Sequence, residues 1–340
     1  MAARGRQRLV SQRRVGIIGT GFMGGVHAEA WQGTNASLVA ILERSTESKI
    51  GDMGRYGATV YTDLDEFLDA VDVVDICVPT YLHAHFALAA AAAGKPAICE
   101  KPLTLTGEES LEVVEAFSSR GLLLQVAHVL RFSPEYSAAR DAVLSGKIGD
   151  LAALRLHRLS FAPKRGRYSW FNDEAKSGGI VFDLMIHDLD YALWLAGDVA
   201  SVYAKSSAGG PGHAIAILQH ANGVISHIEG SWSEPQPVFR TKSELAGSTG
   251  VISFSSDASS PLTLRLHETG PEATTGGGDD GVGDNPFELE LQHFLDLLDG
   301  EVEPVITAFD GLQAVRLAEA TRQSVSTGRP VRLAASGRAQ

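Results

Sequence analysis

Cysteine is nearly missing from this chain of 340 residues, which has only Cys77 and Cys99. Both sit in apolar runs that read as strands, so they are expected to be buried reduced thiols, and a cytoplasmic setting is expected. Basic charge is also short. Lys and Arg number 29 against 41 Asp and Glu, a formal net charge of −12. That balance argues against a nucleic-acid partner, because phosphate-backbone binding runs on a net basic surface. Long apolar runs are missing as well. The most apolar helical stretch, HFALAAAAAG, is too short and alanine-rich to span a bilayer, so no membrane partner is expected. MAARGRQRLVSQRR carries five arginines but lacks the apolar core of a secretory signal. Residues 1–14 are therefore expected to be a disordered basic tail, and 335–340 a short second one.

What is present reads as an ordinary globular composition, with 44% hydrophobic and 21% charged residues. The length suits two domains. From Val15 to His128, short apolar runs alternate with helical patterns: VGIIG, LVAIL, VVDICV, PAICE and LLLQVAH between segments such as LHAHFALAAAAAG and GEESLEVVEAFSSRG. Strands that are apolar throughout belong in a parallel sheet covered on both faces. The rhythm predicts an α/β, doubly wound dinucleotide-binding domain over 15–128. Beyond it, LAALRLHRLSFA, VASVYAKSS, HAIAILQH, VISHIEGSW, FRTKSELAG, GVISFS and LTLRLH read as strands, several of them alternating. Residues 129–334 are expected to form an α+β domain on a large, mostly antiparallel open sheet. The glycine-rich, acidic stretch 268–286 is expected to be a mobile loop.

GTGFMG, Gly19 to Gly24, matches G-x-G-x-x-G between the first strand and a helix. Gly19 permits the turn, Gly21 lets backbone approach a pyrophosphate, and Gly24 allows close helix packing. The helix N-terminus then presents free N–H groups to phosphate, so Gly19, Gly21, Phe22, Met23 and Gly24 are expected to hold a dinucleotide. Glu43 ends the second strand, 19 residues after Gly24, where an acid takes ribose hydroxyls and repels a 2′-phosphate. NAD is favoured over NADP on that ground. Arg44 follows at once and could turn toward a phosphate.

CEKP, Cys99 to Pro102, falls at the C-terminal end of a parallel strand, where open α/β sheets bind ligands. FDLMIHDLD, Phe182 to Asp190, predicts an apolar helix with Asp183, His187 and Asp190 on one face at i, i+4 and i+7. Asp188 falls about 140° around from Asp183 and is left outside the site. With GIIGTGFMG, VPTYLHAHFALAA, GKPAICEKPLTLT, HVLRFSPEY and GGIVFDLMIHDLD in this order, the chain from Val15 to Leu333 resembles the Gfo/Idh/MocA oxidoreductases, named after glucose-fructose oxidoreductase and inositol dehydrogenase.

That resemblance implies a Rossmann domain, a second domain whose open sheet builds homodimers or tetramers, and hydride exchange between NAD(P) and a sugar, cyclitol or related polyol. By position, Lys101 matches the lysine that holds the reacting oxygen, and Asp183 and His187 match the acid–histidine pair. Glu100 precedes that lysine in the motif. Pro79, Thr80 and His83 match a T-P-N-x-x-H segment near the nicotinamide, although Val78 and Thr80 replace its threonine and asparagine. Arg131 matches a recurring arginine that is structural, substrate-facing, or both.

Alcohol oxidation by hydride transfer needs a proton acceptor. Histidine suits that step, and a lysine ammonium would stabilise developing alkoxide. Asp183 would orient the histidine or pair with Lys101, with Asp190 as a supporting group. Tyr168 and Trp170, in the loop before the helix, could stack on a sugar. Lys164, Arg165 and Arg167 could receive an acidic substrate but read more simply as a solvated loop. No further ligand cluster joins Asp183 and His187, so no metal is expected. Two other readings share these motifs: NAD-assisted glycoside cleavage by transient oxidation, and a cofactor-binding sensor without catalysis.

Overall fold

The computed structural model describes residues 12–44, 53–162, 169–207, 212–258, 262–266 and 285–334. Six strands form a parallel sheet: β1 (Arg14–Ile18), β2 (Ser37–Leu42), β3 (Thr59–Tyr61), β4 (Val73–Ile76), β5 (Ala97–Glu100) and β6 (Leu124–Ala127), in the order β3-β2-β1-β4-β5-β6. Helices α1 (Phe22–Trp31), α2 (Leu64–Ala70), α3 (His83–Ala92) and α4 (Gly107–Ser118) make the crossovers. Every residue of β4, β5 and β6 is buried, as strands covered on both faces require. Strand order reverses between β1 and β4, and ligand crevices form outside the carboxyl ends of strands at such a point.

Local sequence sets the helix starts. Asp63 and Thr106 accept the Glu66 and Glu109 N–H groups at the heads of α2 and α4, the side-chain capping expected of these residue types. The head of α1 differs. Gly21 supplies no side-chain cap there, so orphan N–H groups at the crevice are left for a ligand.

After α5 (Pro134–Leu144) comes an eight-stranded sheet: β7 (Leu151–Leu159), β8 (Val199–Ser206), β9 (His213–His220), β10 (Ile225–Ser231), β11 (Arg240–Gly247), β12 (Gly250–Ser255), β13 (Leu262–Leu266) and β14 (Val331–Arg332). Its order is β13-β12-β11-β7-β10-β9-β8-β14. Within this sheet, only the β7–β10 pair is parallel among the described strands. In β9, Ala214, Ala216 and Leu218 are buried while Ile215 and Ile217 are exposed. The inner face packs on α7 (Ile186–Ala196) and α9 (Ala308–Thr327), with the short α6 (Glu174–Ser177) before α7.

The α/β and α+β architecture matches the expected fold class. Three details differ. The basic tail ends earlier than residue 14, because Arg14 is already in β1 and bonds Asp72 at 2.8 Å. Arg13 pairs with Asp299, and the Gln12 side chain donates to Ala36 O. Residues 268–284 of the expected loop lie outside the described residues, but Asn285 caps α8 (Pro286–Asp299) and Pro286 begins it. That helix does not stay with the second sheet. It returns to cover α1 and β6, where the Asn35 N–H donates to Gln292 and the Gln125 side chain donates to Glu290 O.

Candidate active site

The phosphate loop has the backbone its glycines predict. Gly19 has φ +99°, a region that favours glycine. A Cβ on Gly24 would lie 2.1 Å from Gly19 O, so only glycine allows the helix to pack this closely. A Cβ on Gly21 would meet nothing within 4 Å. The fold itself leaves this position open, with room for a ligand to approach the backbone. Phe22 is 84% exposed beside it, and Met23 is partly buried. Glu43 follows β2, its N–H bonded to Tyr61 O, and Arg44 is exposed next to it. An uncapped helix head, an open Gly21 and an acid after β2 fit a dinucleotide.

Across the switch point, Pro79 leads into a 3₁₀ turn, Thr80–Leu82. Thr80 is buried. His83 is also buried, with Nδ1 2.7 Å from Pro102 O and Nε2 2.9 Å from Val78 O. The ring therefore ties the β4 loop to the CEKP turn. His83, expected beside the cofactor, has both ring nitrogens engaged by backbone. Glu100 is also expected among the cofactor-binding residues. Its carboxylate turns under the sheet, where Oε1 lies 3.1 Å from His27 Nε2 and Oε2 accepts the Lys101 N–H at 3.0 Å.

Lys101 crosses to the second half of the chain. Its ammonium donates to Asp183 O at 2.5 Å and lies 3.6 Å from Asp183 Oδ1. Asp183 does not sit in regular α-helix. Val181–Met185 is a π-helical turn running into α7, a distortion common at functional sites. The uniform i, i+4, i+7 face expected of FDLMIHDLD is thus widened at its start. His187 follows on α7, partly exposed, with Nδ1 enclosed and without a hydrogen-bond partner. Burial lowers its pKa well below 6.5, and the Lys101, Arg158 and His128 charges push the same way. The imidazole is therefore neutral at neutral pH.

Asp190 and Arg131 do not line the crevice. They are 0% and 3% exposed and hold each other through two bonds of 2.9 and 2.6 Å. Arg131 also donates to Val305 O, before α9. This buried pair fits the structural one of the roles left open for Arg131, and it makes Asp190 the partner of Arg131 at the domain junction. Asp188 is buried against Arg158 of β7, away from Lys101. Trp170 lies in a 3₁₀ turn, its ring 6.2 Å from that of Tyr81. Tyr168, Lys164, Arg165 and Arg167 lie outside the described residues.

Two groups went unread in the sequence. His128, after β6, is buried with neither ring nitrogen hydrogen-bonded and with Asp190 3.7 Å away. Beneath the sheet, His27, Asp75 and Cys77 bring ligand-type atoms within 4.8 Å of one another. That group is already internally bonded, and burial pushes the Cys77 thiol upward, so it stays protonated. The signal for the cluster was Asp75 itself, a carboxylate in an otherwise apolar buried strand.

A Rossmann sheet with an open glycine loop at its switch point, and a lysine at the carboxyl end of β5 that meets Asp183 just before the His187 helix, defines an NAD(P)-dependent oxidoreductase. Comparison with known proteins agrees. Residues 13–128 match the oxidoreductase family, NAD-binding Rossmann fold model, and 136–253 match the GFO/IDH/MocA C-terminal domain. Inositol 2-dehydrogenase of Rhizobium meliloti (strain 1021) is 30% identical over 336 residues, covering 94% of this chain and 99% of that protein. Myo-inositol 2-dehydrogenase of Thermotoga maritima is 27% identical, covering 94% and 98%. The solved structure of a levoglucosan dehydrogenase in complex with NADH is 25% identical, covers 95% of this chain and 100% of that one, and superposes with a TM-score of 0.85. The chain belongs to the Gfo/Idh/MocA oxidoreductase family.

Proposed function

We propose that the protein oxidises a secondary hydroxyl of a cyclitol or sugar, or reduces the matching carbonyl, with NAD(H) rather than NADP(H). The observation that carries this is the contact of Lys101 with Asp183 across the two halves, with neutral His187 on the same helix. The nicotinamide, when bound, takes up or gives the hydride. Lys101 holds the reacting oxygen and stabilises alkoxide charge. His187 takes the hydroxyl proton, and Asp183 keeps the ammonium from being buried alone. Gly19, Gly21, Phe22, Met23 and Gly24 hold the pyrophosphate, and Pro79 and Thr80 border the nicotinamide end. Glu43 takes the ribose hydroxyls. Arg44 borders that site, and Trp170 with Tyr81 borders the substrate. The inositol 2-dehydrogenases among the relatives support a cyclitol.

The open sheet supports a homo-oligomer, with Tyr203, Ile215, Ile217 and Ile225 exposed on neighbouring strands. Among the described residues no helix is long and apolar enough to cross a membrane. Free, buried Cys77 and Cys99 suit a reducing cytoplasm.

The test is binding of NADH and NADPH, followed by a panel of polyols and keto-sugars with wild type and Lys101→Ala. NADH is expected to bind more tightly. The variant should keep NADH binding and lose turnover by on the order of 10²–10⁴-fold. Turnover equal to wild type would overturn the assignment.

A further inference from the structure

We infer that His27 is a positioning residue for Lys101, acting through Glu100 from the far side of the sheet. This rests on the proposed role of Lys101 and deepens it. His27 lies one and a half turns into α1, the helix whose head faces the phosphates, and it is 0% exposed. Its Nδ1 lies 3.0 Å from Asp75 Oδ2 and 3.1 Å from Oδ1. On the other side, its Nε2 lies 3.1 Å from Glu100 Oε1, and Glu100 Oε2 accepts the Lys101 backbone N–H. Asp75 is held in turn by Trp31 Nε1 at 2.7 Å and by the Cys77 thiol at 3.3 Å.

Both ring nitrogens face carboxylates. An imidazole donates from both only as the imidazolium. Burial opposes that charge, but the facing Asp75 carboxylate outweighs it, by its charge and its hydrogen bond, and raises the pKa well above 6.5. The groups facing His27 are Asp75 from β4 and Cys77 just after it, Glu100 from β5, and Phe287 with Glu290 from α8. A buried acid–imidazolium–acid chain therefore runs from α1 to the peptide N–H of the lysine. The helix that receives the pyrophosphate and the residue that meets the reacting oxygen share one hydrogen-bonded strut. Loss of the middle link lets Glu100 swing and releases the Lys101 backbone. An error of about 1 Å at a reacting group costs on the order of 10²-fold in rate.

The experiment compares wild type, His27→Gln, Glu100→Gln, the double variant and Lys101→Ala, each with NADH binding and steady-state kinetics on the best polyol. Expected for His27→Gln is a kcat loss of about 10- to 100-fold, with KM and the NADH dissociation constant within about threefold. The double variant should be no slower than the worse single, since both break one chain. Removing the cation leaves two carboxylates facing each other, so one takes up a proton more readily. The acid limb of kcat should move to higher pH in His27→Gln and return in the double variant. A kcat within twofold of wild type, with only a lower melting temperature, would make the cluster merely structural and overturn the inference. If His27→Gln does not fold, Glu100→Gln is read by the same kcat-against-KM criterion. Failure here with Lys101→Ala still inactive sinks the strut alone; an active Lys101→Ala sinks the proposed mechanism as well.

Discussion

Two buried polar regions flank the crevice, and they handle histidine in opposite ways. Under the Rossmann sheet, His27 is wedged between Asp75 and Glu100, every contact is made, and the ring carries a proton. At the domain junction, His128 and His187 have enclosed nitrogens without partners, and burial keeps both rings neutral. The available carboxylate there, Asp190, is already taken by Arg131. One residue type thus becomes a fixed cation where two acids face it and a free base where an arginine has claimed the acid. The first state holds geometry and the second can move a proton.

The largest effect that sharpens this contrast is at the Arg131–Asp190 pair. Asp190→Ala removes the nearer of two carboxylates from a buried guanidinium, leaving Asp310 at 3.4 Å, and should destabilise the fold by up to about 3–5 kcal/mol in urea unfolding. Replacing both partners with Arg131→Met and Asp190→Leu should recover most of that loss. Recovery would mark the pair as a lock whose charges matter to each other. If Asp190→Ala unfolds near wild type, the junction is not held as described.

Acid titration tests the opposite histidine charges directly. His83, His128 and His187 have folded pKa values below 6.5 because burial disfavours the charged ring. The unfolded chain binds their protons first, so their stabilisation is full above 6.5 and is lost as pH falls below it. His220, His227 and His293 shift the same way. His27 has the reverse sign. Its folded pKa is raised, so its contribution is full below 6.5 and fades as pH rises through the folded value. Stability should fall on acidification from about pH 7 to pH 5, at up to about 1.4 kcal/mol per pH unit for each net proton. His128→Asn should flatten that slope, and His27→Gln should steepen it. Equal slopes in all three proteins would break the comparison.

The two regions also differ in how far they could be read from sequence. Lys101, Asp183 and His187 are carried by contiguous motifs, CEKP and FDLMIHDLD, and the structure gathers Lys101 and Asp183 as those motifs imply. The parallel strands were legible because runs such as VVDICV are apolar on both faces. The underside cluster was hidden because its members come from α1, β4, β5 and α8, and pairing across elements leaves no local periodicity. Only Asp75 signalled that a partner had to exist. The three-residue β3 and the π-helical turn at Asp183 carry no strong pattern either. The return of α8 to the first domain follows from its packing on α1 and against β6, which sequence spacing does not encode.

The smallest expected effect concerns the third acid of the underside cluster. Glu290 of α8 is 0% exposed, and neither carboxyl oxygen has a hydrogen-bond partner. Burial raises its pKa well above 4.5, with the nearby Glu100, Asp75 and Asp190 charges adding to the rise against His27. It is therefore the acid that stays protonated while Asp75 and Glu100 flank the imidazolium. The unfolded chain releases this proton near 4.5, so a raised folded value costs stability as pH climbs above that point. Glu290→Gln keeps the shape, removes the ionisation, and should raise the unfolding midpoint at pH 7. Below pH 4.5 both forms are neutral and the gain should vanish. A destabilised Glu290→Gln at neutral pH would mean the carboxylate is ionised and paired, and the cluster would then hold three anions against His27.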